Sequence, residues 1–303
     1  MNNSLPTVSI LMSVYNNDRF LSAAIDSMLC QTFTDFEFLI LDDGSTDRSA
    51  EILRSYAAQD ARIRLTRREN RGLTRSLNEL LSQAQGEFIA RMDADDIALP
   101  DRLARQVEFL QNSPQIVCVG TAQDWIDEDG DKLHHWQPTG DNAELQALML
   151  SGQNHLCHPS ALIRREAMLK VGGYDESLRS AQDLDLWLKL GELGELSNLP
   201  EVLLRYRVHS DSVSEKQATQ QNQNALLACE RAWQRRGIRG HYAPSRAWRH
   251  QFIVQCGWQL WMSGRRDKAI RYGLRAIKAI PLNLEGWRLL TCASLKPLPE
   301  GQP

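Results

Sequence analysis

The chain has 303 residues, 42% of them hydrophobic and 24% charged, which is enough for one large core or a core plus a smaller helical region. No window approaches the run of about 18 apolar residues that a membrane-spanning helix needs, and MNNSLPTVSILMSV at the start lacks a basic segment, so it reads as a strand and not as a signal peptide. The net charge of −3 averages two unlike regions: residues 1–215 hold 20 Lys and Arg against 34 Asp and Glu, and residues 216–303 hold 15 against 4.

In chain order, Val8–Val14 has the character of a strand, and Phe20, Leu21, Ala24, Ile25, Met28 and Leu29 follow at helical spacing. Phe36–Leu41 is a second apolar run, Ile52, Leu53 and Tyr56 mark a helix, and Ile63–Leu65 is a short strand. Leu73–Ala84 places Leu77, Leu80 and Leu81 on one helical face before a strand at Phe88–Met92. A helix through Leu103, Val107 and Leu110 and a strand at Ile116–Val119 complete an alternation that argues a parallel sheet covered by helices. Beyond Gly120 the stretch Asp124–Gly140 reads as a polar loop or hairpin. Leu145–Leu150, Arg165–Val171 and Asp183–Leu190 look helical, and Val202–Val208 looks like a strand. Gln217–Gln223 reads as a polar linker, followed by helices near 225–236, 246–263 and 267–279. The expected domains are therefore 1–215 and a basic, Trp-rich helical region, 216–303. Six scattered cysteines without C-x-x-C spacing fit reduced, mostly buried thiols of a cytosolic protein.

Four constellations carry candidate chemistry. Asp42-Asp43-Gly44-Ser45-Thr46-Asp47 follows a strand, where the sheet of an α/β fold binds ligands, and its carboxylates could accept from a nucleobase or ribose; the same residues also suit a turn with a helix N-cap. Asp93-Ala94-Asp95-Asp96 ends another strand, and three close carboxylates repel unless a cation sits among them, which favours a hard divalent ion over a solvated acidic loop. Asp183 and Asp185 open a helix, where an ionised Asp suits a general base or is simply a helix-start charge. Arg205 and Arg207 form one basic strand face suited to phosphate, and His209 follows it, either as a ligand or as an ordinary histidine.

In this fixed order the sequence resembles the family 2 glycosyltransferases of the GT-A fold. The matching stretches are Val8–Asn16, Phe36–Asp47, Asn70–Asn78, Gly86–Asp96, His158–Asp183 and Arg205–His209, spanning about residues 6–214. The resemblance implies an α/β fold, a mostly parallel sheet flanked by helices. It implies that Val14, Tyr15, Asn16, Asp42, Asp43, Asn70, Gly72, Arg75, Asp93 and Ala94 bind the donor, that Asp95 and His209 hold a divalent metal (Mn²⁺ or Mg²⁺), and that Asp183 is the catalytic base. UDP is the nucleotide it implies. Three departures stand out: Ser13 for a Pro; Leu77 for an Arg, whose contact Arg75 or Arg91 would have to supply; and Gln182 for the Glu before the base.

The reaction expected is inverting transfer of a sugar from a nucleotide-sugar donor to a saccharide or lipid-linked acceptor hydroxyl, in the assembly of cell-surface polysaccharide, lipopolysaccharide or glycolipid. A nucleotidyltransferase would need a Gly-rich basic loop after the first strand, where Tyr15-Asn16-Asn17 stands; a D-x-D-x-T phosphatase would need Thr at Ile97; a non-catalytic binding relative would have no use for Asp93, Asp95, Asp183 and His209 together. No motif points to nucleic acid. The balance of +11 and five tryptophans (Trp233, Trp248, Trp258, Trp261 and Trp287) suggest that 216–303 docks on an anionic membrane surface, which would make the protein cytoplasmic and peripheral on the inner face of the membrane; the competing expectation is a helical lid packed on the acidic body. In 267–279, Ile270, Leu274 and Ile277 form the expected apolar side, opposite Arg271, Arg275 and Lys278.

Overall fold

The computed structural model describes residues 5–208, 218–243 and 248–297. Its first half alternates β1 (Val8–Val14), α1 (Leu21–Leu29), β2 (Phe36–Asp42), α2 (Ser49–Gln59), β3 (Ile63–Arg67), α3 (Leu73–Gln83), β4 (Phe88–Arg91), β5 (Ile97–Ala98) and α4 (Arg102–Asn112). Then come β6 (Ile116–Ile126), β7 (Lys132–Trp136), α5 (Asn142–Leu150), β8 (Leu162–Arg164), α6 (Arg165–Lys170), α7 (Gln182–Leu190) and β9 (Glu195–Arg207). Four further helices follow: α8 (Ala218–Arg236), α9 (Trp248–Met262), α10 (Arg266–Ala279) and α11 (Leu284–Leu295).

The strands run in the order β3-β2-β1-β4-β8-β6-β9-β5, and β7 pairs with β6. The β3-β2-β1-β4 half is parallel, whereas β8 is antiparallel to both β4 and β6, and β5 to β9. Register decides where the chemistry falls. Val14 is level with Asp42, and Asp42 with Arg67, so the ends of three strands form one edge. Leu11 is level with Arg91, which sets the residues after β4 beside that edge.

β1 and β2 are buried on both faces because helices cover both. Leu11, Leu39, Leu41 and Ile89 share one core with Leu77, Leu80 and Leu81 of α3 and with Leu184 and Trp187 of α7. Ile10, Met12, Phe38, Ile40 and Phe88 share the other with Ile25 and Met28 of α1 and Leu103 and Val107 of α4. Alternate strand residues thus serve opposite cores, as a pleated strand requires.

The chain divides into two compact units: Met1–Gln123 with Gln137–Tyr206 and Asp211–Pro244, and Asp124–Trp136 with Arg207–Ser210 and Ser245–Pro303. The division does not fall at 215. Helix α8 belongs to the first unit, where Ala225, Ala228, Cys229 and Ala232 enter the core of Trp187. Small side chains let α8 approach closely, so its alanine stripe is a buried face, and from Ala218 the segment expected as linker is already helix. Its basic groups meet acidic ones of the same unit: Arg231 with Asp175 at 2.6 Å and Arg235 with Glu192 at 2.9 Å.

The second unit packs the Asp124–Trp136 hairpin with α9, α10 and α11 around Leu133, Ile253, Leu260, Tyr272 and Leu289, and Trp125, Trp258 and Trp261 pack against this core. Helix α10 buries Ala269, Tyr272, Gly273 and Ala276, not a stripe through Leu274, which is exposed beside Arg271, Arg275 and Lys278. Close packing against α11 selects the small side chains, for a Cβ at Gly273 would lie 3.1 Å from the Leu290 backbone. All six cysteines are free. Among the described residues no helix is long and apolar enough to cross a membrane.

Candidate active site

The site is built on strand ends of the first unit. At the end of β1 the Val14 carbonyl accepts from the Asp43 N–H at 2.8 Å, which locks the two strand ends together. Asn16, at φ 50°, accepts from the Thr46 N–H at 2.8 Å, and its own N–H donates to Ser45 Oγ at 3.0 Å. Tyr15 projects outward between these anchors, 54% exposed. The turn after β2 needs Gly44 at φ 80°: a Cβ there would sit 2.7 Å from the Asn70 backbone nitrogen.

Asp42, the last residue of β2, and Asp43 after it are buried, and residues 67–72 engage both. Asp42 Oδ1 accepts from the Ser45 N–H at 2.9 Å, and Arg67 Nε lies 3.1 Å from Oδ2. Asp43 accepts from the backbone N–H groups of Arg71 and Gly72, at 2.9 and 2.8 Å, and pairs with the Arg68 guanidinium. The side chain of Asn70 is exposed, while Gly72 starts α3 at φ 88°. Arg75 pairs with Glu176 at 3.3 Å and, with Arg71, Asn78 and Glu79, lines an open groove of about 480 Å³.

After β4, Asp93, Asp95 and Asp96 bring one carboxylate oxygen each within 4.8 Å of the others, a donor set of hard oxygens that suits a divalent cation. Ala94, between them, is buried. Two arginines brace this turn from below. Arg91 donates to Asp93, and its Nε and Nη1 are buried without a hydrogen-bond partner. Arg102 of α4 donates to the Arg91 carbonyl at 2.7 Å; burial pulls its guanidinium down to about 10, still charged at neutral pH. Asp93 keeps 31% side-chain exposure, yet its surroundings raise its pKa through desolvation, opposed by Arg91 and reinforced by Asp95.

Asp183 lies in the first turn of α7. The backbone reaches it through Ala181, a buried non-glycine residue at φ 56°, a left-handed geometry that costs of order 1 kcal/mol or more and is held here by the packing around it. Asp183 Oδ2 accepts from Asn154 Nδ2 at 2.7 Å and Oδ1 from the Leu184 N–H at 2.9 Å. Desolvation raises its pKa; the Leu184 N–H, the Asn154 amide and the Arg91 charge oppose the rise. Asp185 differs: it is 1% exposed and paired with Lys189 at 2.6 Å, which makes it a buried helix ion pair. In the same unit, His158 Nε2 and Tyr174 Oη lie 2.7 Å apart; burial and Arg91 hold the histidine neutral, and burial keeps the phenol protonated.

Sequence reasoning had singled out the carboxylates but not Asn154, which has no motif signal, nor the bracing role of Arg91 and Arg102. It also read Arg207 as a phosphate contact. The structure uses it otherwise, since its guanidinium is buried and donates to the Asp127 and Glu128 carbonyls at 2.9 and 3.1 Å. His209 lies outside the described residues.

The model of the family described as "Glycosyl transferase family 2" matches residues 9–172. EpsE of Bacillus subtilis (strain 168), named as a glycosyltransferase, is 36% identical over 237 residues, covering 76% of this chain and 84% of EpsE. The O-antigen biosynthesis glycosyltransferase WbnJ of Escherichia coli is 34% identical over 213 residues, 69% of this chain and 82% of WbnJ. Among solved structures, S. aureus TarS 1–349 in complex with UDP-GlcNAc superposes with a TM-score of 0.57 at 16% identity, covering 95% of this chain and 79% of that one. The Pyrobaculum calidifontis mannosyltransferase PcManGT with GDP-Man and Mn²⁺ gives 0.59 at 19% identity, covering 97% and 81%. These structural likenesses bear on the fold, which is the GT-A α/β fold expected from the motifs. The family match over most of the strand-end edge, together with the two close relatives, shows that the chain belongs to glycosyl transferase family 2.

Proposed function

We propose that the protein is an inverting, metal-dependent glycosyltransferase that moves a sugar from a UDP-sugar to an acceptor hydroxyl in cell-surface polysaccharide or glycolipid assembly. One observation carries this reading: three mutually close carboxylates follow β4 in the same unit as a desolvated Asp183 held by Asn154.

The donor's base and ribose rest against the edge formed by Val14, Tyr15, Asn16, Asp42 and Asp43, with Asn70, Gly72 and Arg75 beyond it. Hydrogen bonds already join the residues of this edge to one another, which would limit the ordering entropy lost on binding. Asp93 and Ala94 lie toward the ribose and diphosphate, and Asp95 with Asp96 and His209 would hold Mn²⁺ or Mg²⁺. When bound, that ion neutralises charge on the departing nucleoside diphosphate. Asp183 accepts the proton of the attacking hydroxyl. Its raised pKa brings it nearer the operating pH, which strengthens it as a base, and the Asn154 amide fixes its orientation. Arg91 holds Asp93 in place from below.

WbnJ is named for O-antigen biosynthesis, which supports an envelope glycan as the product class. Such acceptors place the enzyme in the cytoplasm at the inner face of the membrane. The test is a panel of nucleotide sugars offered with Mn²⁺ or Mg²⁺. Turnover should favour a UDP-sugar, and NMR of the product should show the opposite anomer. Retention, or no turnover with any donor, overturns the reading.

A further inference from the structure

The second unit displays an apolar corner that its own core does not use. Between α10 and α11 the chain runs Ile280-Pro281-Leu282-Asn283-Leu284, with Leu282 94% and Leu284 78% exposed. Trp287, one turn into α11, is 49% exposed. The corner is braced in this form. The Trp287 indole N–H donates to the Pro281 carbonyl at 2.9 Å, and the Asn283 N–H donates to the Ile280 carbonyl at 3.1 Å. The Asn283 side chain caps α11 by accepting from the Glu285 N–H at 2.9 Å. Exposed apolar side chains grouped in this way mark a contact surface.

The surroundings are basic. Residues 266–297 carry seven Lys and Arg against Asp267 and Glu285 alone. Lys268 is spent inside an acidic cluster of the hairpin, but Arg271, Arg275, Lys278, Arg288 and Lys296 are exposed, and Leu274 is exposed among them. A tip of leucines and a tryptophan with cations around it matches one partner chemistry: apolar groups enter the headgroup–acyl boundary while cations stay at the phosphate level. The rest of the basic tail is not available for this. α8 is packed in the first unit, and Trp258 and Trp261 pack on the core of the second.

We propose that the 280–288 corner, flanked by the outward face of α10, is a wedge that docks the enzyme on an anionic lipid bilayer. The inference rests on the proposed function only for the reason such a surface is needed, namely acceptors carried at the membrane.

The test is co-sedimentation of the full chain with vesicles of phosphatidylcholine alone or mixed equally with phosphatidylglycerol. Binding should appear only with the mixed vesicles and weaken as salt rises. The triple change Arg271→Glu, Arg275→Glu, Lys278→Glu should weaken it by at least about 100-fold. The pair Leu282→Ser, Leu284→Ser should weaken it by roughly tenfold while melting at the parent temperature, because neither leucine is in the core. If the intact chain ignores anionic vesicles at low salt, or if neither variant binds less well, the wedge is wrong. A chain that is dimeric in solution and is split by the leucine pair would make the corner a self-interface and also overturn it. Asp183→Asn should bind vesicles like the parent. Vesicle binding that persists without turnover on any donor would sink the transferase reading and leave the wedge standing.

Discussion

Asp93, Asp95 and Asp96 after β4, and Asp127, Asp129 and Asp131 in the hairpin turn before β7, each gather three carboxylates within 4.8 Å. In the hairpin the protein supplies its own cation. The Lys268 ammonium touches all three carboxylates, at 2.7 Å from Asp129 and 2.6 Å from Asp131, and Arg265 adds a contact to Asp131 at 2.7 Å. These partners hold the lysine's pKa well above its usual value despite burial. After β4 the cationic brace is Arg91, which engages Asp93 from the buried side. Two clusters of equal composition therefore sit in different surroundings. One is a clasp closed by a lysine that joins the hairpin to α10; the other, proposed above as the metal site, stands at a strand-end edge with Asp93 and Asp95 partly exposed.

The largest expected effect comes from removing the central carboxylate of the proposed metal site after β4. Asp95→Ala should lower donor turnover by about 10³-fold or more, the several kcal/mol that a charge-neutralising ion supplies. It should leave the melting temperature near that of the parent. A large loss of stability would mean that this cluster is a clasp as well.

Asp183→Asn should keep donor affinity within a few-fold and cut turnover by on the order of 10²–10⁴. The paired control is Asp185→Asn, which strips Lys189 of its buried partner and should cost stability more than chemistry. If Asp185→Asn instead does the greater damage to turnover at full stability, the base has been misassigned.

Lys268→Met should destabilise the second unit by roughly 3 kcal/mol, because three carboxylates lose the cation they surround. Added Mg²⁺ or Ca²⁺ should recover part of this in the variant while leaving the unit's stability unchanged in the parent. A variant as stable as the parent in chelator would show that the clasp contributes nothing.

Asn154→Ala should have the smallest effect, about tenfold in kcat/KM at neutral pH, the loss of one hydrogen bond to a charged group. Its signature is in the pH profile. On the proposed mechanism activity needs ionised Asp183, so it should be lost as pH falls through the raised pKa of that group. Asn154 opposes the rise, so its removal should move the acid limb to higher pH. A limb that stays in place would show that the amide does not face the ionised base.

The first half of the fold was legible because local signals and tertiary structure agree there. The Val8–Val14 run is β1 residue for residue, and the Leu77, Leu80, Leu81 stripe is the buried face of α3. Strand-end carboxylates were legible for the same reason: parallel strands put their following turns on one edge. Features that depend on distant partners were not legible. Leu162–Arg164 becomes a strand only by pairing antiparallel between β4 and β6. The Asp124–Gly140 stretch reads as a polar loop or hairpin, and the hairpin forms, but its acidic turn gives no sign of Lys268, 141 residues from Asp127, which completes it. α11 escaped notice because Gly286 and Thr291 interrupt its apolar period, and the Asn283 cap alone marks its start. The face of α10 was misread because buried alanine and glycine give a weak hydrophobic signal, while Leu274 gives a strong one on the outside.

The most direct test of the central claim is donor turnover by the parent chain across a titration of Mn²⁺ into chelator-treated enzyme, with Asp95→Ala run in parallel. The account predicts no nucleoside diphosphate release in excess chelator, saturable recovery with metal in the parent, and no recovery in the variant. Full turnover in chelator, or equal recovery in the variant, would contradict it.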